Sequence, residues 1–177
     1  MTFKPILNYL IRKHVKKDQR VPTLVYGAMV QRVAIVSSEK YAPEASEYAK
    51  RLRSRGVQTV DFFLVFNSSK SEAKFENRIK AVTISPKNFS LFGAPINKPD
   101  LERALLEKYD TLIDLNVGQS IEADWIIVQL NANWKVGKKL KNRENLLDLM
   151  IDGNLDGRQL ISQIDDYLLN LNKPKAA

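Results

Sequence analysis

Serine, asparagine and acidic residues at the ends of apolar runs hold small ligands in many α/β proteins. Two stretches of this chain have that form. Ser37-Ser38-Glu39 follows the apolar run Val33–Val36, and Asn116-Val117-Gly118-Gln119-Ser120 follows Leu112-Ile113-Asp114-Leu115. In an open parallel sheet, ligands sit beyond the carboxyl ends of the strands, where the strand order reverses. There Ser38 and Asn116 offer donors and acceptors. Gly118 lets backbone approach a ligand closely. Ser120 at a helix start caps that helix or helps to hold an anion. The ligand class that suits such a site is a small nucleotide or a sugar phosphate.

Other residues in the same turns argue against an enzyme. The turn "SSEKYAPEA" has no glycine, and neither G-x-G-x-x-G nor G-x-x-x-x-G-K-[ST] occurs in the chain. A phosphate would meet Glu39, Glu122 and Asp124 with no evident cation. Asp114 sits at the strand end, where a carboxylate bonds to neighbouring loop amides. The single histidine, His14, lies among basic residues with no acid to orient it. Asp148 and Asp152 suit turn and cap formation better than paired acid–base work. The chain has no cysteine, which excludes disulfides, thiolate metal sites and cysteine nucleophiles. One histidine does not build the common zinc site. No catalytic residue, metal or cofactor is expected.

The elements that would position these turns can be read from apolar periodicity. A basic amphipathic helix runs from Thr2 to about Lys17, with Phe3, Ile6, Leu7, Leu10, Ile11 and Val15 on one half of its wheel. Arg12, Lys13, Lys16 and Arg20 fall on the other half. A connector with Pro22 and Gly27 leads to a first strand at Val33–Val36. A helix from about Pro43 to Arg55 has proline at its start, late arginines and Gly56 as its stop. Further strands are expected at Val57–Phe66, Ile79–Ser85, Thr111–Asn116, Asn133–Gly137 and Leu146–Ile151. Between them come a polar loop with a short helical turn (67–78), an ordered proline-rich loop (86–99), a helix from Asp100 and a helix from Ser120 to Asn131. Asp156 and Gln159 form a capping box for a last helix, and the tail "NKPKAA" frays.

Short apolar strands alternating with helices predict a mostly parallel sheet of five or six strands covered on both faces. The expected fold is α/β, a three-layer Rossmann-like or flavodoxin-like sandwich with an extra basic N-terminal helix. The expected division is residues 1–20 for that helix, 21–171 for a single α/β domain and 172–177 for a flexible tail. The helix reads either as an element that docks on a membrane or partner or as a helix packed on its own domain with a solvated basic face, and deleting residues 1–20 is expected to leave the sheet folded.

Charge suggests the partner. The net charge is +8, and residues 1–20 carry Lys4, Arg12, Lys13, Lys16, Lys17 and Arg20 against Asp18 alone. A second cluster holds Lys135, Lys138, Lys139, Lys141 and Arg143. Such clusters favour anionic partners: an acidic protein or ribonucleoprotein surface, nucleic acid, or acidic lipid met peripherally. Trp134 beside these lysines reads either as a base-stacking ring or as a core residue before a solvated loop. No run approaches the roughly 20 apolar residues of a membrane-spanning helix, and the N-terminus lacks a signal-peptide pattern. A cytoplasmic location is expected.

Four stretches in order, "FSLFGAP" (89–95), "YDTLIDLN" (109–116), "NANWKVG" (131–137) and "LLDLMID" (146–152), resemble a family of short, uncharacterised Bacteroidota proteins known as a domain of unknown function. The resemblance covers most of the chain and implies no activity. The run from Tyr109 to Gly137 also resembles the N-terminal, acceptor-side Rossmann half of heptosyltransferases. That likeness implies a shared half-fold without the donor-binding domain. The favoured reading is a non-enzymatic binding or adaptor protein that meets an anionic protein or ribonucleoprotein surface. A nucleotide- or sugar-phosphate-binding enzyme and a peripheral membrane protein are the alternatives.

Overall fold

The structure, a computed structural model, describes residues 4–18, 20–24, 30–74, 81–90, 96, 98–141 and 143–171. Phe3, Gly27, Ile79, part of the proline-rich loop (91–95) and the tail (172–177) lie outside the described residues. The elements are α1 (Lys4–Lys17), β1 (Arg32–Ser38), α2 (Ala42–Ser54), β2 (Thr59–Val65), α3 (Ser69–Lys74), β3 (Val82–Ile84), α4 (Pro99–Leu106), β4 (Lys108–Asp114), α5 (Ile121–Gln129), β5 (Asn131–Lys138), β6 (Leu149–Ile151) and α6 (Gly157–Leu171). Among the described residues, six strands form one sheet in the order β3-β2-β1-β4-β5-β6, and every pairing is parallel. This is the Rossmann order rather than the flavodoxin one, and strand order reverses between β1 and β4.

Alternation along the strands builds two cores. In β1, Ala34 and Val36 face one side, while Val33 and Ile35 face the other. In β4, Leu112 and Ile113 divide in the same way. The first side is covered by α1, α4 and α5, and the second by α2 and α6. Both strands therefore bury apolar side chains on both faces in their central residues, as a doubly covered parallel sheet requires.

Strand boundaries differ from expectation, among them those of β4, β5 and β6. β4 begins at Lys108, because Tyr109 and Thr111 pair with Ala132 and Trp134 of an equally extended β5. The polar Lys108 and Asp110 conceal that start in the sequence. β6 is confined to Leu149–Ile151, because Leu146 closes a turn, its amide donating to the Arg143 carbonyl at 2.9 Å, and Leu147 follows in irregular backbone. Their side chains are buried all the same. An apolar run reports burial, not the backbone that achieves it.

α1 is built into the domain. Parallel strands normally need a helical crossover, yet the β5–β6 connection carries no helix among its described residues. α1 packs on α5 instead, and its Leu7 and Ile11 share a core with Leu146 and Leu147 of that connection. The chain after α1 is then stapled down. Arg20 donates from both terminal nitrogens to Asp148, at 2.7 and 3.0 Å, and from Nε to Asp18 at 2.8 Å. Asp148 in turn accepts from the Lys135 amide at 2.8 Å. Burial weakens the Arg20 charge, but Asp148 and Asp18 outweigh it and hold the guanidinium above its ordinary value.

Candidate functional site

The two polar turns do meet at the strand-order reversal. Val36 pairs with Asp114, and the Leu115 amide donates to the Val36 carbonyl at 2.8 Å. Ser38 and Asn116 therefore leave the sheet side by side. What lies between and beneath them is a closed polar cluster. Asp114 is fully buried and accepts from the Asn116 amide at 3.1 Å and from Asn116 Nδ2 at 2.6 Å. Its other oxygen accepts from Arg143 Nη1 at 2.6 Å. Arg143 is 1% exposed and also donates from Nε to Asp124 on α5, while its Nη2 lies against the same carboxylate off the line of a hydrogen bond. Burial opposes the Arg143 charge, but the two aspartates prevail and raise its pKa. Burial pushes the Asp124 carboxyl up, against the pull of Arg143.

Arg143 is thus the cation missing from the sequence reading, and it is already engaged. It ties the β5–β6 connection to β4 and α5. A glycine supports this clamp from below. A Cβ on Gly137 would come 2.8 Å from Asp114 Cβ and 2.9 Å from the Asp114 carbonyl oxygen, both in the neighbouring strand. Gly118, by contrast, has open space around it and no left-handed backbone. The close approach belongs to Gly137.

The remaining turn residues are mostly structural. Ser37 is fully buried, with Oγ donating to the Ser38 carbonyl at 3.3 Å. Ser38 precedes a 3₁₀ turn (Glu39–Tyr41) without capping it through its side chain. Asn116 is 2% exposed. Ser120 caps α5, accepting from the Ala123 amide at 3.2 Å and donating to Glu122 at 3.1 Å. Glu39 is half-buried, and Gly118 is exposed. Ser37, Asp114 and Asn116 therefore present little to solvent, and the charge on Asp114 is neutralised from within the protein.

The basic residues separate into two groups. Arg12, Lys13, Lys16 and Lys17 are exposed on α1 and have no partner among the described residues. Lys16 and Lys17 also sit in the last turn, where a cation opposes the helix dipole. Arg20 is half-buried in its aspartate staple. Lys138 donates to the Leu155 carbonyl at 2.9 Å, and Lys139 pairs with Asp152 at 2.8 Å. Lys141 is exposed, and its carbonyl accepts from Gln119 at 3.3 Å. Lys135 is not on the surface at all. It is 3% exposed and donates to the Ile127 carbonyl at 2.7 Å, which satisfies one of the last orphan carbonyls of α5.

Burial, helped by Arg20, pulls the Lys135 ammonium down to about 8 from its ordinary 10.5. The folded state thus binds the proton less tightly than the unfolded chain does. The cost is full below pH 8 and fades as pH rises toward 10.5. Lys135→Met is therefore expected to stabilise the protein near neutral pH by about 2 kcal/mol. That is about 3 for the relieved charge less about 1 for the abandoned carbonyl. The advantage should disappear before pH 10.5 and give way to a deficit of up to about 1 kcal/mol, since the abandoned carbonyl remains. Urea midpoints at both ends of that range check it, and an advantage independent of pH would refute it.

Trp134 is 6% exposed and stacks on Tyr167 with ring centroids 6.4 Å apart, so it is a core residue and not a base-stacking one. Asp148 serves the Arg20 staple, while the exposed Asp152 holds Lys139 and the Gly153 amide, so they act apart. His14 bonds to the Leu10 carbonyl and meets Gln129, and among the described residues it pairs with no acid. One exposed aromatic residue of α1 was legible in the sequence by its helical spacing. Tyr9 is 63% exposed, with Arg12, Lys13, Lys16 and Lys17 at the following three, four, seven and eight positions.

An open parallel sheet of this order, a closed strand-end clamp and an exposed basic helix define a Rossmann-like α/β protein. Among the described residues no helix is long and apolar enough to cross a membrane. The chain belongs to a family of unknown function (DUF6913), whose profile matches residues 4–171 and so includes α1. No curated protein and no solved structure matches it.

Proposed function

We propose that this is a non-enzymatic binding or adaptor protein that engages an anionic protein or ribonucleoprotein surface through α1. The observation that carries this reading is the set of four free cations, Arg12, Lys13, Lys16 and Lys17, on a helix anchored by Leu7 and Ile11. Cations held on a rigid element attract a polyanion without first paying the entropy of ordering the segment. A nucleotide- or sugar-phosphate enzyme draws less support, because Arg143 is spent on Asp114 and Asp124. A peripheral membrane role draws less support as well, since the helix uses its apolar stripe inside the domain. A cytoplasmic location accords with the absence of cysteine.

The test reverses all four charges, with Arg12→Glu, Lys13→Glu, Lys16→Glu and Lys17→Glu in one chain. Partner capture from native lysate is compared with wild type at low and high salt. The variant should stay folded, with a melting temperature lowered by roughly 5 °C because two of the carboxylates enter the last turn of α1, and lose the salt-sensitive partners. Equal recovery by both proteins would refute the reading.

A further inference from the structure

Resting on that reading, we infer that the partner of α1 is a single-stranded nucleic acid. Arg12, Lys13, Lys16 and Lys17 meet its phosphates, and Tyr9 offers a ring on which a base stacks. Residues at these spacings share one face of a helix, and that face is opposite Leu7 and Ile11, which point into the core. The stripe from Tyr9 to Lys17 is about 12 Å long at 1.5 Å per residue, the reach of a few nucleotides.

The composition of the face selects among polyanions. Among the described residues of α1, Tyr9 is the one large hydrophobic side chain left exposed, and α1 carries no acid. A protein interface needs a contiguous apolar centre, and one ring among cations does not provide it. A lipid surface needs an apolar helix face to insert, and here that face is packed on α5. A base needs only the face of one ring, and a phosphate needs only a nearby cation. A duplex hides its base faces within the stack, so unpaired bases are the natural occupant.

The experiment titrates the full chain into a labelled single-stranded oligouridine of about 15 nucleotides, near the upper site size of a single-strand binder. A duplex of equal length and polyglutamate serve as competitors. Four phosphate contacts predict a log–log salt slope near −3, about −0.7 for each contact. Tyr9→Ala should weaken binding about fivefold or more, the lower end of a base-stacking contribution. Tyr9→Phe, which keeps the ring, should stay within about twofold of wild type. The fourfold charge reversal should abolish binding. All of these positions are on the surface, and circular dichroism checks that the fold persists.

Failure to bind oligouridine at low salt would overturn the inference, as would binding that ignores Tyr9 or prefers the duplex or polyglutamate. Partner capture from native lysate, repeated with and without nuclease treatment, then separates the two levels. Charge-dependent partners that survive nuclease would leave an acidic protein surface as the partner, so that the adaptor reading stands and this inference falls. Loss of both oligouridine binding and charge-dependent capture would remove both.

Discussion

Arg143→Ala is expected to cost about 3–5 kcal/mol, the usual penalty for removing one side of a buried ion pair. The reason is local. Asp114 has no exposure, and the nearest compensating charge is the guanidinium 2.6 Å away. Asn116 would still donate two hydrogen bonds, but neither brings positive charge. For a chain of this size the loss corresponds to a fall in Tm of roughly 10 °C. Arg143→Lys should fall between, because an ammonium lacks the fork that spans Asp114 and Asp124. The deficit should also shrink on acidification. Burial already pushes the Asp124 carboxyl up, and without the guanidinium beside it the carboxyl takes a proton at higher pH still. The folded variant then binds protons more readily than the unfolded chain and gains relative stability as pH falls. Thermal melts at two pH values measure both effects. A loss under about 1 kcal/mol, small for any buried charged contact, would mean that the clamp contributes little.

Leu7→Ala is expected to cost about 2–5 kcal/mol, as for any fully buried leucine. The test bears on what α1 is. A separable arm would tolerate the change. A helix that completes the layer beside α5 would not, since the cavity opens in the core that α1 shares with α5. Removal of residues 1–20 should then destabilise the entire sheet, because it also breaks the Arg20–Asp148 staple. The opposite expectation, that the sheet survives that truncation, is decided by the same measurement. Arg12→Ala, on the opposite face, should stay within about 0.5 kcal/mol of wild type. Urea unfolding of the three proteins compares them directly. A Leu7→Ala chain as stable as wild type would return α1 to the status of an appendage.

The same contrast explains why some features were legible in the sequence and others were not. The capping box at Asp156 and Gln159 forms as expected, with 2.9 Å bonds in both directions. Ser120 caps α5. Both are local, made within four residues, and spacing alone reports them. Lys135 was misleading because its neighbours Lys138 and Lys139 are partly or fully exposed while it points inward. In a strand buried on both faces, alternation does not mark which polar residue is covered.

By itself, then, the sequence determined the layered α/β class, the helix starts and stops, the basic face of α1 and the absence of thiol chemistry. These follow from periodicity and residue type. Only the tertiary structure decided the strand order, the burial of Lys135, the joining of Arg143 to Asp114 across 29 positions and of Arg20 to Asp148 across 128. Such pairings depend on which strands and loops become neighbours, and charge type alone does not choose a partner. A buried guanidinium does not give up its proton, so it must find a carboxylate wherever the fold brings one within reach; the Lys135 ammonium takes a carbonyl instead, and burial pulls its pKa down.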